Sequence, residues 1–214
     1  MSVKLHEPYC LDSQMGQLLW FDDFLGDQVQ DEWHIVNVGG GTTTVVDGVT
    51  GGIMRLSSPT NGTGDRTDVS WNTIRSLLAS KKLTFEIRFR TNSANLNTFY
   101  ISLSSTAGTQ YIDLRHEGGG ANYLISTRDA GGGNSFDSGV AVDTDWHILR
   151  IECRTDGGNH VHYYMDNVET ANSPVTTDIP FDATDFIQPY FLILTGDTNL
   201  KTLEIDYVAI RQEI

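Results

Sequence analysis

The chain is poor in the residues that would staple it, anchor it or let it grip polyanions. Its 214 residues include two cysteines, five prolines and 14 basic side chains against 28 acidic ones. Cys10 and Cys153 allow one disulfide at most, which excludes a disulfide framework. They pair if the N-terminal segment lies against the segment around Cys153; otherwise Cys153 is a small buried hydrophobe and Cys10 a free thiol. A formal charge of −14 excludes gripping nucleic acid or an anionic membrane surface, because the dominant attraction there needs Lys and Arg. No apolar run approaches the roughly 20 residues needed to cross a bilayer, so membrane insertion is not expected. The opening MSVKLHEPYCLDSQMG lacks an apolar signal core, so no secretory signal is expected.

Recognisable catalytic spacing is equally scarce. Six histidines and two cysteines show no zinc pattern, and His160 with His162 is an alternating pair on a strand. There is no GxSxG elbow, and the glycine clusters lack the Lys and following helix of a phosphate cradle. Helical spacing is confined to Thr73 to Lys81, where Ile74, Leu77 and Leu78 allow one or two turns.

What the chain does have is alternation. In WHILRIECRTDGGNHVHYYMD, from Trp146 to Asp166, His147, Leu149, Ile151 and Cys153 fall on one side and Ile148, Arg150, Glu152 and Arg154 on the other. That is a half-buried antiparallel strand, with Asp156 to Asn159 as the turn of a hairpin. The same pattern recurs in LLWFDDF, WHIVNV, TTTVV, GIMRLSS, LTFEIRFRT, TFYISLS, QYIDLRHE, NYLIST, HILRIECR, HVHYYMD, QPYFLILTG and LKTLEIDYVAI. Twelve short runs separated by turn residues predict an all-β fold, a two-sheet antiparallel β-sandwich. At this length one domain is expected, over residues 20–214, with a core large enough to need no staples. Residues 1–19 show little periodicity and read as an N-terminal arm, an attachment or oligomer contact, or else as a disordered terminus.

The order FDDF, VDGVTGGIMRLSS, LTFEIRFR, DTDWHILRIE, YYMDN and LEIDYVAI resembles the concanavalin A-like lectin and glucanase superfamily, over roughly Leu18 to Ile210. The resemblance implies a jelly roll of two curved sheets, with Phe21 to Phe24 near the closing strand and glycans bound or cleaved on the concave sheet. Glucanases of the superfamily place Glu-x-Asp-x-(x)-Glu on one strand. The comparable strand here, YIDLRHE, offers Asp113, Arg115 and Glu117 on one face. Glycoside hydrolysis needs two carboxyl groups about 5 to 5.5 Å or 6.5 to 9.5 Å apart, whereas four residues of extended strand span about 13 Å. Arg115 would also depress the pKa of its acidic neighbours, the opposite of what a general acid needs. No catalytic residue is therefore assigned. The lyase branch of the fold would use Arg88 or Arg90 with His162 and Tyr164.

A lectin-type groove needs flat aromatics and hydrogen-bonding groups. The candidates are Arg88, Arg90, Tyr100, Tyr111, Asp113, Arg115, Glu117 and Tyr123. Trp71, in the polar stretch NGTGDRTDVSWN, is a further one, as an exposed anchor or as packing over the rim. Trp20, Trp33 and Trp146 read as core. Related glucanases hold a structural calcium that involves the Asp of the last strand's DYV. That implies calcium at Asp206, whose alternative is a cap or salt bridge at the sheet edge. The leading expectation is a non-catalytic lectin-like domain that binds a glycan or a surface protein. The lack of a signal, the glycine- and threonine-rich loops and the leading arm suggest a bacteriophage virion decoration, fibre or baseplate component. The alternatives are a glycoside hydrolase or polysaccharide lyase, and a purely structural assembly module.

Overall fold

The computed structural model describes residues 9–12, 17–25, 29, 31–47, 51–58, 65–71, 77–94, 98–194 and 200–213. Seventeen strands are found among them, with a single 3-10 turn, Ala79–Lys81. In chain order the first nine are β1 (Tyr9–Asp12), β2 (Gln17–Asp22), β3 (Trp33–Val38), β4 (Thr42–Asp47), β5 (Gly52–Ser58), β6 (Arg66–Trp71), β7 (Leu77–Leu78), β8 (Thr84–Thr91) and β9 (Thr98–Ser104). The remainder are β10 (Tyr111–His116), β11 (Asn122–Arg128), β12 (Gly133–Ala141), β13 (His147–Arg154), β14 (His160–Met165), β15 (Val168–Glu169), β16 (Phe186–Leu194) and β17 (Lys201–Glu213). They form two antiparallel sheets, as the alternation predicts. The first runs β1-β2-β17-β8-β13-β14-β15, with β5 on β17 and β4 beyond it; the second runs β12-β11-β10-β9-β16-β6-β3, with β7 on β16.

Alternation decides what lies between the sheets. Phe85, Ile87 and Phe89 of β8 point inward and are fully buried, as are Phe99, Ile101 and Leu103 of β9 and Phe191 and Ile193 of β16. Rings meet across the layers, Phe89 on Phe99 at 6.1 Å and Phe85 on Phe191 at 6.5 Å. Each such side chain contributes about 1.5–3 kcal/mol by leaving water. The β13–β14 hairpin behaves as read: His147, Leu149, Ile151 and Cys153 are buried, and the turn is relieved by Gly157 (φ 83) and Gly158 (φ 125), which have no Cβ to clash. Cys153 is free and buried.

One end of the core is aromatic. Trp20, Trp33 and Trp71 meet with centroids 5.0–6.5 Å apart. The FDDF sequence has its reason here, since the buried Asp22 accepts from the Trp33 indole N–H and from the Phe24 N–H, each at 2.8 Å. Burial raises the Asp22 pKa against the pull of those two bonds. Gly52 passes so close that a Cβ would sit 1.8 Å from the Phe24 carbonyl oxygen, so the backbone itself selects glycine there.

Five strands go beyond the twelve expected runs: β1, β6, β7, β12 and β15. Trp71, expected in a polar loop, is the inward-facing end of β6 and is 3% exposed. Of the expected arm, residues 9–12 and 17–19 belong to β1 and β2, which pair with each other, and residues 1–8 and 13–16 lie outside the described residues. Of the expected short helix, Leu77 and Leu78 form β7, Ala79–Lys81 form the 3-10 turn, and 72–76 lie outside the described residues.

Candidate functional site

Outward side chains of the second sheet line up in rows, because paired strands hold their residues in register. One row carries Ser126, Asp113, Ser102, Tyr190, Ser70 and His34, one from each of β11, β10, β9, β16, β6 and β3. A flanking row carries Arg115, Tyr100, Leu192 and Asp68; another carries Tyr111, Ser104 and Gln188. Apart from Ser126, these residues and the hairpin Ser105–Gly108 line a groove of about 670 Å³, within the range of small-ligand sites.

Arg115 organises one side of this groove. Its guanidinium lies 5.7 Å from the Tyr100 ring and 5.4 Å from the Tyr111 ring, and it donates to the Tyr111 hydroxyl at 3.3 Å and to Ser126 Oγ. It also stands between two acids, with Nε 3.4 Å from Asp113 Oδ1 and Nη1 3.3 Å from Glu117 Oε1. Asp113 Oδ1 and Arg115 Nε are both buried and neither completes a hydrogen bond.

The acid expected to be depressed by Arg115 goes the other way. Burial pushes the Asp113 carboxyl up to about 7, outweighing Arg115. The cost of taking a carboxylate out of water exceeds what one guanidinium at 3.4 Å returns without a hydrogen bond. Burial works against the Arg115 cation too, but Asp113, Tyr111 and Glu117 outweigh it and hold its pKa above the ordinary value. Burial raises Tyr100 and pushes Tyr190 up to about 12, so both offer neutral hydroxyls. Asp68 is raised by burial, with Arg66 at 3.0 Å opposing.

The carboxyl groups bear directly on hydrolysis. Asp68 lies three strands from Asp113, about 14 Å at the usual strand spacing, too far to flank one glycosidic bond. Glu117 is closer to Asp113 than an extended chain would place it, because β10 ends at His116 and Arg115 bridges both acids. The gap that would have to hold the scissile bond is filled by the Arg115 guanidinium.

The other expected site residues are dispersed. Tyr123 faces the core, fully buried between Phe89 and Phe99. Trp71 borders the groove only from within the aromatic core cluster. Arg88 and Arg90 are on the outer face of the first sheet, both 4.7 Å from the ring of Trp146, which is therefore not a core residue. On that same face His162 is bound by Glu169 at 2.6 Å and stacked on Tyr164. The lyase combination is thus on the sheet opposite the groove. Sequence reading missed Tyr190, Gln188, Leu192, Ser102, Asp68 and His34. The period-2 pattern of β16 held the signal for the first three, since Ile187, Phe191 and Ile193 are their inward counterparts.

Asp206 is the extra residue of a bulge in β17, between Ile205 opposite Phe89 and Tyr207 opposite Arg88. Its Oδ2 accepts from Arg88 Nη1 at 2.5 Å. That guanidinium supplies the charge a calcium ion would bring. Among the described residues no three His, Cys, Asp or Glu side chains converge on a metal position, and residues 48–50 of VDGVTGG lie outside them. Asp206 is thus engaged by Arg88, the salt bridge that stands as the alternative to a calcium ligand.

Residues 49–206, more than half of the chain, match the family described as SO2946-like, C-terminal domain. The chain belongs to that family. No curated protein matches it. Among solved structures, this SO2946-like domain is similar to a prokaryotic β-1,3-1,4-glucanase (lichenase) from a mouse hindgut metagenome, with a TM-score of 0.67 and 15% identity over 92% of this chain and 99% of that one. A β-1,3-glucanase from Mycobacterium marinum gives 0.65 and 15%, over 89% and 97%. The carbohydrate recognition domain of Emp47p gives 0.61 and 12%, over 89% and 95%. At these identities the likeness is one of fold, and the SO2946-like domain has the concanavalin A-like jelly roll expected from its sequence.

Proposed function

We propose that the groove of the second sheet is a glycan-binding site and that the domain is a non-catalytic, lectin-like recognition module. One observation carries the reading: where cleavage would need open space between two carboxyl groups, Arg115 fills the gap and fixes Tyr100 and Tyr111 around itself. What remains is a recognition surface, in which tyrosine rings cover apolar sugar faces and serines and Gln188 address hydroxyls. Among the described residues the sole groove arginine, Arg115, is already matched by two acids, on a chain of net charge −14, so the ligand is a neutral glycan rather than a uronate or sulfated one. The fold is also that of a carbohydrate recognition domain and of glucanases.

A hydrolase is the second reading, favoured by Asp113, whose pKa near 7 is in the range that suits a general acid. A glycan array and a polysaccharide-digestion screen on the same purified protein separate the two. Binding without release of reducing ends is the expected result, and it should survive chelation of divalent cations. Release of oligosaccharides that stops in Asp113→Asn establishes the hydrolase instead.

A further inference from the structure

The outward residues of β16 do not stop at the groove. Leu192, Tyr190 and Gln188 line it, and the next side chain of the same parity is Phe186, 51% exposed while its neighbour Ile187 is buried. Strand geometry puts Phe186 about 7 Å beyond Gln188 on the same face. It sits beside the hairpin that closes this end of the groove, because Gln110, at the base of that hairpin, donates to Asp185 at 2.5 Å. The hairpin is itself held, with Ser105 N donating to the Gln110 carbonyl at 2.9 Å and Gly108 N to the Ser105 carbonyl at 2.8 Å. The backbone under Phe186 is fixed by its pairing with Leu78 of β7. A large ring is thus held in water just beyond the hairpin end of a polar groove. Phe21, the other half-exposed phenylalanine, is stacked on Tyr207.

We propose that Phe186 is a stacking subsite outside the groove, and that the ligand is an oligosaccharide chain that leaves the groove over the Ser105–Gly108 hairpin and lays a further sugar on the Phe186 ring. This rests on the glycan reading above and adds chain length to it: the domain prefers an internal stretch of polysaccharide to a terminal mono- or disaccharide.

The test is calorimetric titration with linear glucan and mannan oligosaccharides from dimer to hexamer, against the unaltered protein, Phe186→Ala, Phe186→Leu and Tyr190→Ala. The unaltered protein should bind longer chains more tightly than dimers. Phe186→Ala should remove that gain, about three- to tenfold in affinity, while leaving dimers unchanged; Phe186→Leu, which keeps apolar bulk without a ring, should behave likewise. Tyr190→Ala should weaken every length. If Tyr190→Ala weakens binding and Phe186→Ala leaves the length dependence intact, the subsite is overturned and the glycan reading stands. If no oligosaccharide binds the unaltered protein, both fall.

Discussion

The two outer faces of the sandwich carry the same kinds of side chain, arginine, acid and tyrosine or tryptophan, and hold them differently. On the first sheet Arg55, Arg88, Arg90, Arg150 and Arg154 each pair with an acid at 2.5–2.9 Å. Glu204 takes Arg55 on one oxygen and Arg90 on the other. Arg88 and Arg90 rest on Trp146, and Arg150 lies 4.5 Å from the Tyr164 ring. On the second sheet Arg115 has two acids at 3.3–3.4 Å, and its Nε and the facing Asp113 oxygen complete no hydrogen bond. A lattice of close ion pairs serves the fold, although Arg150 Nε within it is also buried without a completed hydrogen bond; polar groups buried without partners cost stability and persist where something else is gained. The presence of arginines and aromatics therefore does not mark a site. Their unmet hydrogen-bonding capacity, beside a cavity, does.

The sharpest way to break this comparison is at Glu204. Glu204→Ala leaves Arg55 and Arg90 without their shared acid and should cost about 3 kcal/mol in urea unfolding, with glycan binding unchanged in the protein that remains folded. An effect of opposite sign is expected in the groove. The folded Asp113 carboxyl titrates near 7 and the unfolded one near 3.8, so the folded state binds the extra proton and stability falls as pH rises through that window. Asp113→Asn should flatten this fall, gaining on the unaltered protein steadily from pH 4 to pH 7 in melting temperature. His147 provides the counter-example. Burial lowers its pKa, but Asp166 at 2.7 Å and Asp143 at 2.9 Å prevail and raise it. Its contribution is complete below the unfolded value near 6.5 and is lost as pH rises through the folded one, so His147→Gln should cost stability at pH 6 and little at pH 9. The smallest effect is expected for Lys82→Ala, which removes an exposed pair with Glu213 and should leave the melting temperature nearly unchanged.

Alternation made the sandwich legible, because β8, β9, β13 and β14 each keep a regular inward set, apolar except for Thr91 and His147. It failed at β6, whose inward set is Thr67, Val69 and Trp71, too polar to stand out from the glycine-rich stretch before it. It misled at Tyr123, since Leu124 and Ile125 leave the parity of β11 undecided until the sheet is assembled. Asp113 and Arg115 were legible as one charged strand face. Their pKa balance was not, because burial depends on neighbouring strands that sequence does not place. The groove joins His34 of β3 to Arg115 of β10 across five strands, so its full membership is a property of register between distant segments. Asp206 shows the same limit, where one bulge sets which residue of DYV meets Arg88.

The account stands most directly on one paired binding measurement: a glycan identified on the array, titrated against Tyr190→Ala on the groove face and Trp146→Ala on the opposite face, with reducing ends followed in the same samples. Loss of binding in Tyr190→Ala, retention in Trp146→Ala and no release of reducing ends is the predicted result. Binding that survives Tyr190→Ala but not Trp146→Ala would contradict it, and so would cleavage of the bound glycan.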